Sequence, residues 1–196
     1  MEKVKIDLHI HTNKSDGLGD PGQVLEYGKK IGLDGLVLTD HDNFNGYNEI
    51  KDTDLAKELM VFPSVEITTP RCDVLAYNVT EVFEGTVSEI IKKIHSVGGA
   101  AVLAHPYGGF WPNPVTNDIE IVKKFDAIEV FNAMTPLEAN VEAMELAKKL
   151  KKPGTGGSDA HPLKAVGDAF TVFKDVKNGK DVVNAIKNGK CTAAWL

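Results

Sequence analysis

The 196-residue chain is 42% hydrophobic and 26% charged, with a net charge of −6, which describes an ordinary globular protein able to bury one hydrophobic core. The acidic balance argues against a broad nucleic-acid surface, though not against a small acidic site that draws in divalent metals. Two cysteines, Cys72 and Cys191, suggest neither a disulfide framework nor a thiolate zinc site, and no apolar stretch approaches the roughly 20 residues of a membrane span.

In chain order, Lys5-Ile6-Asp7-Leu8-His9-Ile10-His11-Thr12 reads as a strand, followed by Asn13-Lys14-Ser15-Asp16-Gly17. Alternation places His9 and His11 on one face with Asp7 beside them, and Leu8 with Ile10 on the other. Two imidazoles on one strand face, with a carboxylate in the next turn, are metal-ligand chemistry. The strand begins almost at Met1, which leaves no room for a signal peptide and makes a cytoplasmic setting the expectation. Asp20-Pro21-Gly22-Gln23 predicts a capped helix that stops near Gly32. Leu36 to Thr39 is an apolar strand ending in Asp40-His41-Asp42, and a polar helix is expected from Tyr47 to Leu59. Pro63 to Thr68, which holds Glu66, and Arg71 to Tyr77 read as two strands able to pair as a hairpin.

Thr86-Val87-Ser88-Glu89 is a capping box, opening a helix with Val87, Ile90, Ile91 and Ile94 on its apolar side. The strand from Ala100 to Ala104 delivers His105-Pro106, and Phe110 to Asn117 reads as a loop. A short helix from Ile119 to Phe125 and a strand from Ala127 to Asn132 follow. Thr135 then opens another capped helix, which ends before Pro153. Beyond it come Gly154 to His161, a strand from Ala169 to Phe173, a helix from Asp181 to Lys187, and a terminal strand or tail from Cys191. There is no repeat or linker, so residues 1–196 read as one domain. Alternating strands and helices with short connections predict a mostly parallel sheet covered by helices. Polar residues cluster at the carboxyl ends of strands, which points to a TIM-like barrel with its active site there. The chain is short for eight βα units, so a distorted (β/α)7 barrel is expected.

Those strand ends carry His9, His11, Asp16, Asp40, His41, Asp42, Glu66, His105, Glu129, Asn132, Asp159 and His161. Five of the six histidines fall there; His95 lies inside a helix and reads as structural or exposed. Imidazoles hold zinc, iron or manganese, and carboxylates can bridge two ions. So large a set exceeds one tetrahedral ion and suggests two or three divalent metals able to activate a water beside a phosphoryl oxygen.

The stretch from Asp7 to Thr12 with Ser15-Asp16-Gly17, Thr39-Asp40-His41-Asp42, Val65-Glu66-Ile67, His105-Pro106, and Ser158-Asp159-Ala160-His161 together resemble the ordered motifs of the polymerase and histidinol phosphatase family, the PHP domain. The resemblance spans Lys3 to Phe173. It implies a distorted seven-stranded barrel with a trinuclear metal centre. On that reading His9, His11 and Asp159 hold the first ion and Glu66 bridges it to the second. His105 and Glu129 hold the second ion, while Asp16, His41 and His161 hold the third. Relatives that act on nucleotides often have a histidine where this chain has Asp73, so the resemblance implies a difference here in substrate recognition or in a ligand.

The implied activity is hydrolysis of a small phosphomonoester or nucleotide by a metal-activated water. Asp42 or His161 would handle the proton at the leaving oxygen, unless Asp40 and Asp42 serve to orient His41. Arg71, the chain's one arginine, and Lys14 are candidates to grip phosphate. Tyr107, Phe110 and Trp111 either wall a substrate pocket or pack over the barrel mouth. The alternatives are an exonuclease-like phosphodiesterase on short oligonucleotides, an amidohydrolase-like enzyme on a non-phosphate substrate, and a non-catalytic metal-binding domain. The length of the chain and its acidity favour a small substrate over a long nucleic acid.

Overall fold

A computed structural model describes residues 3–108 and 114–196. The expected loop therefore lies partly outside the described residues, as do Phe110 and Trp111; its last part, Pro114–Asn117, is a turn of 3-10 helix. The strands are β1 (Lys3–Ile10), β2 (Gly35–Leu38), β3 (Ser64–Thr68), β4 (Asp73–Tyr77), β5 (Ala100–Leu103), β6 (Ala127–Asn132), β7 (Gly154–Gly157), β8 (Ala169–Lys174) and β9 (Cys191–Trp195). The helices are α1 (Pro21–Lys30), α2 (Asn45–Ile50), α3 (Asp54–Glu58), α4 (Val87–Ser96), α5 (Ile119–Val122), α6 (Leu137–Leu150) and α7 (Gly179–Lys187).

The strands form two open sheets, of order β2-β1-β8-β9 and β3-β4-β5-β6-β7. This corrects the expectation of a single (β/α)7 barrel. It also corrects the expectation of a mostly parallel sheet, because β1 pairs with β8, β3 with β4, β4 with β5, and β8 with β9 antiparallel. Hairpin-length connections from β3 to β4 cannot make a parallel crossover, which needs a dozen or more residues. The sheets nevertheless touch through isolated parallel bridges, Ile10 with Ala160 on one seam and His41 with Glu66 on the other. Both seams fall among the residues singled out by the sequence.

One apolar cluster lies between β3–β6 and the helices α4 and α6, with Ile90, Ile94, Phe125, Ile128 and Leu146 buried in it. The capping box at Thr86 and Glu89 is formed as expected, and it sets the helix phase that buries Val87, Ile90, Ile91 and Ile94. Each of these side chains contributes on the order of 1.5–3 kcal/mol. A second cluster joins Ile6, Leu8, Leu75, Tyr77 and Val102 to Val182 and Ile186 of α7. A third packs α1 and its neighbours on Leu36 and Leu38. The polar helix expected from Tyr47 to Leu59 is split into α2 and α3, with Thr53 capping α3 through the Ala56 amide. Helix α6 lacks the expected side-chain cap, because Pro136 occupies the cap position and the Thr135 hydroxyl turns back to the Asn132 carbonyl.

Candidate metal centre

β1 delivers His9, and its continuation delivers His11. Their Nε2 atoms lie 3.1 Å apart. Glu66 Oε2 is 3.0 Å from each of them, and Asp159 Oδ1 lies 3.4 and 3.2 Å away. A tetrahedral ion with ligands at about 2.0–2.1 Å has ligand–ligand edges of about 3.3 Å. The two imidazole nitrogens therefore form, with the oxygen of Glu66 and again with that of Asp159, triangles whose edges have the length of a coordination-shell edge. Two imidazole nitrogens so close need something electrophilic between them, so this donor set fits a metal ion.

His9 and His105 stack within the site, and His11 stacks against His41. Further ligand groups adjoin the first: His11, Asp16 and His41; His11, Asp159 and His161; and Glu66, Asp73 and His105. His161 Nε2 and Asp16 Oδ2 are 3.1 Å apart, and His41 Nε2 lies 3.8 Å from that same oxygen. The Nδ1 of His161 donates to the Asp159 carbonyl at 2.9 Å, leaving Nε2 as the ligating atom. His105 Nε2 approaches the second oxygen of Glu66, Oε1, at 3.1 Å. Glu66 therefore faces two ligand groups, one with each oxygen. The clusters can hold two to three ions.

Local backbone is bent to make this possible. Asp42, His105 and Asp159 have φ of 52°, 22° and 53°, a region that non-glycine residues rarely enter and that recurs at functional sites. Gly157, just before the Asp159 turn, touches β1 so closely that an added Cβ would lie 2.4 Å from His9 Cβ.

Electrostatics follow from crowding. Burial opposes the charge on Glu66, yet His9, His105 and His11 hold it well below the usual carboxylate range. Burial likewise opposes protonation of His11, but bonds to Asp159 and Glu66 push it up to about 9, and His105 is also pushed to about 9, mainly by Glu66. Asp7 is buried, and burial pushes it up to about 6 despite three backbone amides on its oxygens, from His9, Ser158 and Gly167. Those bonds make Asp7 a clamp that ties β1 to the Ser158 and Gly167 loops.

Glu129 is brought to the site, but to a different place from the one expected. Its Oε1 accepts from His9 Nδ1 at 2.9 Å, and its Oε2 accepts from the His105 amide at 2.9 Å and from Asn132 Nδ2 at 3.0 Å. Both oxygens are engaged by protein donors. Beside Glu66 and His105 stands Asp73 instead. Asn132 also donates to Asp159 Oδ2, and Asn140 holds it through its backbone, accepting from the Asn132 amide and donating to its carbonyl. Asn140 escaped the sequence reading, because a polar residue on a helix face carries no ligand signal.

Asp40 does not orient His41. It binds the Thr12 amide and the Thr12 and Ser15 hydroxyls, so it organises the loop after β1. Asp42 accepts the Thr68 amide, and the Thr68 hydroxyl meets His41 Nδ1. Arg71 is paired with Asp118 at 3.4 Å, and Lys14 with Glu49 at 2.7 Å. His95 lies outside the site, bonded to Asp126 at 2.8 Å. Tyr107 is partly exposed. Among the described residues, no helix is long and apolar enough to cross a membrane.

A family model described as PHP-associated matches residues 138–191. The uncharacterized protein MJ1587 of Methanocaldococcus jannaschii is 30% identical over 143 residues, covering 66% of this chain and 82% of that protein. The fold is similar to PsfC from Pseudomonas syringae, with a TM-score of 0.77 and 21% identity over 100% of this chain and 93% of that one. It is also similar to a two-domain protein from Bacteroides vulgatus described as containing a predicted PHP-like metal-dependent phosphoesterase, with a TM-score of 0.73 and 17% identity over 99% of this chain and 65% of that one. With the ordered histidine and carboxylate motifs converging on one multi-metal ligand cluster, these likenesses identify the chain as a member of the PHP domain family of metal-dependent phosphoesterases.

Proposed function

We propose that this chain, acting as one domain, hydrolyses a small phosphomonoester or nucleotide at a centre of two to three zinc, manganese or iron ions. The observation that carries the reading is the convergence of Glu66 and Asp159 on the Nε2 atoms of His9 and His11, each carboxylate oxygen 3.0–3.4 Å from both nitrogens, with further ligand groups on either side. When bound, such ions polarise a phosphoryl group and activate a water. The chain's own residues divide the remaining work. His9, His11 and Asp159 would hold the first ion, and Asp16, His41 and His161 the third, with Glu66 shared between the first and second positions. Glu129 accepts the Nδ1 proton of His9, which fixes the tautomer that leaves Nε2 free. His161 Nε2 lies among ligand atoms, so Asp42, exposed beside His41, is the residue left to handle the proton at the leaving oxygen.

Arg71 is the better candidate for phosphate, because its pair with Asp118 is long and both side chains are about 40% exposed, so the guanidinium can be re-aimed cheaply. Lys14 is held in a shorter pair with Glu49. The acidity of the chain supports a small substrate over a long nucleic acid, and the expected setting is cytoplasmic. The test is a phosphate-release screen on the metal-loaded protein, using nucleoside monophosphates, sugar phosphates and a short oligonucleotide. Release from small monoesters is expected. Cleavage of the oligonucleotide alone, or no release with metals bound, would overturn the reading.

A further inference from the structure

Asp73 opens β4 directly across from Thr68, two residues along β3 from Glu66. Residues opposite one another on paired strands share a face, and so do residues two apart, so Asp73 and Glu66 look into the same site. Ligand atoms of Glu66, Asp73 and His105 all lie within 4.8 Å of one another. Neither Asp73 nor one nitrogen of His105 is satisfied by the protein. No hydrogen bond or ion pair reaches the Asp73 carboxylate among the described residues, and His105 Nδ1 is buried without a partner. A partly buried carboxylate that faces a second carboxylate and accepts no hydrogen bond of its own is unfavourable unless a cation joins them. Glu129, the other carboxylate near His105, has both oxygens occupied.

We infer that Asp73, with Glu66 and His105, completes the second metal position, and that this two-carboxylate, one-imidazole set is the oxygen-rich position of the centre. The inference rests on the metal-centre reading above. Carboxylate oxygens suit manganese and magnesium, whereas imidazoles suit zinc. The neighbouring groups carry more nitrogen, with two histidines each in His9–His11–Glu66 and His11–Asp16–His41. The centre is therefore mixed, with manganese preferred at Asp73 and zinc tolerated at the other positions.

The test uses the full chain stripped with a chelator, then reloaded with manganese or with zinc, and reads metal content, manganese affinity and thermal midpoint. Asp73→Asn is expected to lose one ion per chain and to weaken manganese binding roughly tenfold or more. The metal-free variant should melt no lower than the parent, because the substitution removes an unpaired charge. Asp73→His should restore the ion count and favour zinc over manganese at that position, which a purely structural role would not produce. A parental ion count and manganese affinity in Asp73→Asn would overturn the inference, as would loss of that same ion in Glu129→Gln. Full metal loading without phosphate release would sink the proposed activity and leave this assignment standing.

Discussion

Glu129→Gln separates a residue that positions a ligand from one that is a ligand. Glu129 accepts three hydrogen bonds, from His9 Nδ1 at 2.9 Å, the His105 amide at 2.9 Å and Asn132 Nδ2 at 3.0 Å. A glutamine offers one acceptor oxygen and one donor group in the same space. Turned one way, its NH2 meets the His105 and Asn132 donors. Turned the other way, it meets the His9 Nδ1 proton, and the ring must adopt the opposite tautomer, with hydrogen on the nitrogen that faces His11 and Glu66. A buried donor left unsatisfied costs about 1–3 kcal/mol, which converts to roughly five- to 150-fold in affinity for the ion at His9. Losses of that size are typical when a carboxylate behind a metal-bound histidine is removed. Titration of the stripped protein against a competing chelator measures it. The expected result is a full ion count with the ion at His9 bound more weakly. Parental affinity, or outright loss of an ion with the others unchanged, would refute the reasoning.

Gly157→Ala should destabilise by about 1–3 kcal/mol or more and weaken metal binding together, since the new methyl would overlap His9 Cβ; thermal melts with and without metal would show both losses. His11 and His105 have folded values near 9 against an ordinary 6.5. In the metal-free protein their protonation therefore contributes stability that is complete below about 6.5 and is lost as pH rises through about 9. Melts of the stripped protein across that window should fall, and the metal-loaded protein should not follow, because ions replace the protons; parallel curves would contradict this. Asn140→Ala removes both bonds to the Asn132 backbone and should cost about 1–3 kcal/mol in a denaturant melt. Arg71→Ala should raise KM for phosphate substrates with little change in kcat, and an unchanged KM would remove Arg71 from phosphate binding.

Much of the centre was legible because its ligands sit on short, local signals. His9 and His11 share a strand face by alternation alone, and Asp159 with His161 follows a glycine-rich strand whose small residues announce close packing. Helix α4 was readable from its capping box, and the β3–β4 hairpin from two strand-like runs separated only by Thr69 and Pro70. The roles of Glu129, Asp73 and Asp40 were not legible. Each is a carboxylate beside ligand motifs, and its partner is chosen by atoms far away in sequence: Glu129 meets His9 at a separation of 120 residues.

The sequence by itself determined which side chains could bind metal, which strand ends carry them, and the helices that cover the sheets. Periodicity, caps and turn residues act within a few positions, so they survive without the rest of the chain. Only the tertiary structure decided that the strands make two sheets stitched at their seams rather than a closed barrel. It also decided that Glu129 turns toward His9 while Asp73 faces Glu66 and His105. Register between distant strands sets which face of a carboxylate meets which donor, and that register comes from packing the whole core at once.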